Sequence, residues 1–148
     1  MAWISITETD VQTRLAGAEL SALKTAALAD GQTNPLTEII EQVVDEIRGY
    51  VAACERNTLG EGTTIPQKLL ATALAMIRFR LSTRLPGFRV DENRRSENEQ
   101  AIRLLERVAA CRFANEEPEE EATETVPSPS PSIGTRTRNF EAADQDGI

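Results

Sequence analysis

The strongest constraint on this chain is a run of apolar residues at helical spacing between positions 34 and 51. Leu36, Ile39, Ile40, Val43, Val44, Ile47 and Val51 recur at intervals of three and four, which sets them along one side of an α-helix. Glu38, Glu41, Asp45 and Arg48 take the other side. Asn34-Pro35 opens the run, with Asn as cap and Pro already holding the backbone angle of a first helical turn. Gly49 interrupts good helix formers at a cost of about 1 kcal/mol relative to Ala, so it is expected to mark a close helix crossing.

The same periodicity recurs elsewhere. Residues 3–6 alternate apolar and polar and suit a short extended lead-in. Thr7 and Asp10 stand at capping-box spacing, Asp replacing the usual Glu, and Val11 and Leu15 give a short first helix one apolar edge before Gly17 interrupts it. Leu20, Leu23, Ala27 and Leu28 share a face in a second short helix, which Asp30-Gly31 ends. After a loop over residues 55–64, Ile65-Pro66 is expected to start a fourth helix, with Leu69, Leu70, Ala73, Leu74, Ile77 and Leu81 as its stripe. Met76 and Phe79 widen that apolar surface, so this helix should be central and contacted on more than one side. Pro86-Gly87 stops it. A fifth helix is expected from about Glu92 to Arg112, with Ile102, Leu105, Val108 and Ala109 inward. Its polar first half, Asn93 to Gln100, should face solvent or a partner. The fold class is therefore all-α, a compact bundle of about five helices, two short and three long.

Composition changes sharply near residue 115. Residues 1–115 carry 15 acidic and 14 basic side chains, whereas residues 116–148 carry 9 and 2. The tail therefore holds almost all of the net charge of −8. Its Glu-rich start and its Pro-Ser repeat at 127–132 offer too little apolar surface to offset the entropy of ordering. The chain divides into a helical domain, 1–115, and an acidic C-terminal arm, 116–148, ordered only on partners. Near the end of the arm, residues 133–140 alternate like a strand, and Arg136, Arg138 and Phe140 are candidate contacts for a partner's sheet edge.

Several kinds of chemistry lack their residues. The chain has no histidine, which removes the commonest general base, the commonest metal ligand and every nucleophile that depends on His. Neither Cys54 nor Cys111 has a second Cys at zinc-ligand spacing, and both are expected as reduced, buried thiols. No phosphate-cradling glycine motif occurs. Adjacent acids such as Asp45-Glu46 and Asp91-Glu92 read as solvated helix surface. No catalytic, cofactor or metal site is expected, and the chain should not be an enzyme. An acidic chain without clustered basic residues is a poor nucleic-acid binder. No run of residues is apolar enough to span a bilayer, and the start of the chain lacks the features of a secretory signal.

One charged pattern stands out. From Arg78 to Arg112 every basic residue is Arg, the side chain that makes forked pairs with carboxylates and is favoured at protein interfaces. Arg78, Arg80 and Arg84 on the fourth helix, facing Glu41 and Asp45 on the third helix, or the acidic arm, of a neighbouring subunit, are candidate interface residues. A solvated arginine-rich helix face is the plain alternative.

The arrangement of elements resembles a known family. A long helix ending Asp45-Glu46-Ile47-Arg48-Gly49-Tyr50-Val51 is followed by Ile65-Pro66 with Leu69-Leu70. Met76-Ile77-Arg78-Phe79-Arg80-Leu81 and Ala101-Ile102-Arg103-Leu104-Leu105-Glu106-Arg107-Val108 come after them. Over roughly residues 4–113 this is similar to the head–tail connector (adaptor, or head-completion) family of tailed phages, in the form found in Mu-like phages and prophages. The resemblance implies a small helical protein made in the host cytoplasm and built into the neck of the virion. Its partners would be copies of itself in a ring, usually of twelve, together with the portal protein and a stopper or tail-completion protein. Genome DNA would pass through the channel without specific binding, and no membrane is involved. A small helical regulatory or chaperone-like module outside any particle is the alternative reading.

Overall fold

Thr7 begins the first helix in the way its spacing to Asp10 predicts. In the computed structural model, which describes residues 3–26, 34–85 and 87–118, the Thr7 hydroxyl accepts from the Asp10 amide at 3.4 Å. The Asp10 carboxylate accepts in return from the Thr7 amide at 2.8 Å. This capping box opens α1 (Glu8–Gln12). A turn that buries Leu15 then leads to α2 (Gly17–Ala26). Leu20 and Leu23 of α2 are buried as expected, while Ala27, Leu28 and Asp30-Gly31 lie outside the described residues. Asn34 accepts from the Leu36 amide at 3.2 Å and caps α3 (Pro35–Ala52). Six of the seven stripe residues of α3 are buried, and Ile40 packs on the edge of the core.

The start of the next helix differs from expectation. Ile65-Pro66 is not its first turn but a short strand, β2, paired antiparallel with β1 (Trp3–Ile4), so that Trp3 faces Pro66 and Ile4 faces Ile65. Ring atoms of Pro disfavour the helical conformation in the preceding residue, and the extended Ile65 gains complete burial. A 3-10 turn over Gln67–Leu69 then leads into α4 (Leu70–Thr83). Helix α4 is central, packing on α3, on α1 and on α5 (Glu92–Ala109). Ala73, Leu74, Met76, Ile77 and Leu81 are all buried.

The polar first half of α5 faces solvent, as expected, through Asn93, Arg95, Ser96, Glu99 and Gln100, while Arg94 and Glu97 find partners within the chain. Ser82, fully buried at the end of α4, donates to the Arg78 carbonyl at 2.9 Å and accepts from Arg94 at 3.0 Å. Arg94 also pairs with Glu19 of α2 and lies 5.9 Å from the Phe88 ring centroid. Arg78 pairs with Glu97. Hydrogen bonds and ion pairs thus hold the part of α5 that has no apolar stripe.

Helix α5 ends earlier than its composition suggests, in a Schellman turn. The Cys111 amide donates to the Val108 carbonyl at 3.0 Å and the Arg112 amide to the Arg107 carbonyl at 2.8 Å, the bond pattern of that motif. Cys111 occupies the left-handed position with φ of 56°, where glycine is usual because a Cβ is costly there. The two cysteines are not free thiols: Cys54, just past α3, is bonded to Cys111, just past α5. They lie 57 residues apart in sequence, and closing a loop of that length restricts the unfolded chain by an amount worth on the order of 4 kcal/mol.

A second tie gathers the N-terminus, the 55–64 loop and the start of the arm around Trp3. The Arg48 guanidinium donates to the carbonyls of Thr64 at 2.7 Å and Gly60 at 2.9 Å. Its charged end sits 5.8 Å from the Trp3 ring centroid. The indole N–H of Trp3 donates to the Glu116 carbonyl at 2.9 Å, and the Glu116 carboxylate accepts from the Gln67 amide at 3.1 Å. The indole also lies directly on Gly60, where a Cβ would come within 2.6 Å of Trp3 Cδ2. Gly49, by contrast, is exposed and marks no crossing, since a Cβ there would meet nothing within 4 Å.

The two glycines therefore predict opposite outcomes. Gly60→Ala should lower stability by about 1–3 kcal/mol, because the added methyl displaces the indole. Gly49→Ala should raise it by about 1 kcal/mol through helix propensity alone. Chemical denaturation of the two variants beside the parent protein measures both.

Candidate functional site

The charged surfaces of α3, α4 and α5 are the candidate site, and the fold sorts their residues into two groups. The first is used inside the bundle. Arg80 of α4 pairs with Glu46 of α3, and Arg78 pairs with Glu97 of α5. Both arginines are half-buried, and Arg84, also half-buried, is engaged as well. Arg78 and Arg80 therefore join helices of one chain, and the acids they take are Glu97, which the sequence does not mark, and Glu46, which the sequence presents as solvated surface. Their spacing could have flagged them only if the helix packing were known.

The second group faces solvent. Glu41 and Asp45 lie one turn apart on the exposed side of α3, with Glu38 one turn earlier. Arg103 and Arg107 lie one turn apart on the exposed side of α5, with Glu99 and Glu106 also exposed on that helix. Glu41, Asp45, Arg103 and Arg107 form no ion pair with another described residue. The outer side of α3 is thus acidic and that of α5 mixed with available guanidinium groups, an arrangement in which the α3 side of one copy can meet the α5 side of another. Arg136, Arg138 and Phe140, the candidate contacts of the arm, lie outside the described residues.

One cavity of about 390 Å³ opens where the arm begins, bounded by Cys54, residues 56–58 and residues 111–117. A groove between the 6–8 segment and the start of α3 is lined by Ile6, Glu8, Leu36, Ile40 and Glu41, and Glu8 there is paired with Lys24 at 2.6 Å. Among the described residues no group of three or more acids or cysteines is placed to hold a metal ion, and no helix is long and apolar enough to cross a membrane.

No curated relative matches the chain. A family model described as Bacteriophage Mu, Gp36 matches residues 6–131, which takes in α1 to α5 and the first part of the acidic arm. The chain belongs to this bacteriophage Mu Gp36 family.

Proposed function

We propose that this phage protein is a head–tail connector, a structural subunit that forms a ring beneath the portal, joins capsid to tail and leaves a channel for the genome. The observation that carries the reading is membership of the bacteriophage Mu Gp36 family, and the resemblance of the sequence to the connectors of tailed phages supports it. The surface chemistry is consistent with it. A ring subunit needs two different lateral faces that fit each other head to tail, and the acidic side of α3 and the guanidinium groups of α5 supply such a pair. Ring contacts of this kind are individually weak, since exposed ion pairs contribute about 0–1 kcal/mol each, so the ring gains strength from repetition and from docking on the portal. No reaction is catalysed. The acidic arm, leaving the bundle beside Trp3, is the segment that wraps a neighbouring subunit or the portal as it orders. Net negative charge keeps the channel from holding DNA.

Virion composition tests the reading directly. Quantitative mass spectrometry of purified particles should find about one copy of this chain per portal subunit; its absence from particles rejects a neck role and favours a regulatory module of the host-cell stage. Assembly has its own test. The double change Glu41→Lys with Asp45→Lys should weaken association of subunits about tenfold or more, while circular dichroism and unfolding midpoint stay unchanged, because neither acid is used inside the bundle. Arg80→Glu serves as contrast, since it breaks the pair with Glu46 and should lower stability as well. Association that survives the α3 double change excludes that face from the ring.

A further inference from the structure

The root of the arm holds a cysteine pair whose surroundings suit exchange chemistry. Cys54 is 2% exposed, whereas Cys111 is partly open. Their Cα atoms are 5.3 Å apart, within the span a disulfide bridges. Both line the cavity at the root of the arm, and so do Arg56, Arg112 and Asn115. The two arginines are exposed and make no ion pair with a described residue, and Glu116 and Glu117 line the same opening, so it offers both signs of charge to a reagent that carries carboxylate and ammonium groups. Nδ2 and Oδ1 of Asn115 are buried without a protein partner, leaving one donor and one acceptor for a peptide-like group. Cys111 is also held in a left-handed conformation that a non-glycine residue adopts at a cost, so its position depends on an outside constraint.

A bacteriophage protein is made inside a host cell, where thiols are kept reduced. We propose that Cys54 and Cys111 form a redox-operated clasp on the arm root, open as a dithiol in the host and closed by exchange with a glutathione-type disulfide that enters this cavity. The Cys111 thiolate, the more accessible, attacks the external disulfide, forms a mixed disulfide and expels one glutathione thiolate. The Cys54 thiolate then attacks the Cys111 sulfur and expels the second. Two protein thiols are oxidised, one external disulfide is reduced to two thiols, and the two protons lost by the cysteines pass to the released glutathione. With the clasp open, residues 112–118 are held by Phe113 packing on the core and by the two hydrogen bonds of Glu116 to Trp3 and Gln67. With it closed, the end of α5 is tied to the end of α3 and the arm leaves from a fixed point. The clasp belongs to the chain itself and holds whether or not the connector reading does.

The test uses the full chain. Cells producing it are quenched in acid and alkylated, and intact mass is expected to show both cysteines as thiols. After purification under reductant and equilibration with excess oxidised glutathione, neither should alkylate. The unfolding midpoint should rise by roughly 10–20 °C, and tryptic cleavage after Arg112 should slow roughly tenfold. In Cys54→Ser a glutathione adduct should persist on Cys111, while in Cys111→Ser the buried Cys54 should take none. A disulfide already complete in the quenched cells overturns the clasp as a redox device. Free thiols that survive excess oxidised glutathione, a bond between two chains, or equal cleavage rates in the two forms of the unaltered protein overturn it equally. Those comparisons need no variant, so a substitution that fails to fold does not shield the proposal.

Discussion

Helix α4 is apolar on more than one side, and the bundle is arranged around that fact. A helix with a single stripe can lie on one neighbour and turn its back to water. With Ala73, Leu74, Met76, Ile77 and Leu81 all buried, α4 must be covered by α3, by α5 and by α1 together. Helix α3 brings a matching stripe. The second half of α5 brings Ala101, Leu105 and Val108, but its first half has nothing apolar to offer. Arg78, Ser82 and Arg94 answer that lack, joining the polar half of α5 to α4 and α2 through hydrogen bonds and ion pairs. One amphipathic helix is thus fastened by two different kinds of force along its length.

The arginines carry most of the functional ambiguity of this chain, and the packing divides them. Those on α4 are spent on the bundle; Arg103 and Arg107 remain on its surface and form no ion pair with another described residue. A protein that works by assembly needs charges of the second kind and a rigid frame made with the first. The acids Glu41 and Asp45 are likewise left on the surface of α3, so the faces available to another copy are acidic on one side and partly basic on the other. The arm adds a third element, and its first residue, Glu116, is fixed by Trp3 and Gln67 beside the cysteine pair.

Much of the fold was legible before any coordinates. The α3 stripe, its Asn34-Pro35 start, the Thr7 and Asp10 capping box and the central place of α4 all rest on interactions within a turn or two of chain, so the order of residues is enough to read them. Ile65-Pro66 was misread because a proline after a loop is equally suited to a helix start and to an extended residue, and only the pairing with Trp3–Ile4 separates the two. Gly49 was misread because the same spacing suits a glycine at a crossing and one in solvent. For the candidate site, residue type was legible and partner was not. The sequence marks Arg78, Arg80, Glu41 and Asp45 as charged helix positions, yet nothing in it says that Arg80 meets Glu46 while Glu41 forms no ion pair among the described residues.

By itself, then, the sequence determined the helices, their caps, the buried stripes and the change of character at residue 116, because each follows from short-range periodicity, capping chemistry or bulk composition. Only the tertiary structure decided which distant residues meet. It brought Cys54 to Cys111, Arg48 to the carbonyls of Gly60 and Thr64, and Trp3 to Gly60 and Glu116. The physical reason is that such contacts depend on the angles at which whole helices pack, and those angles are set by all the buried side chains at once.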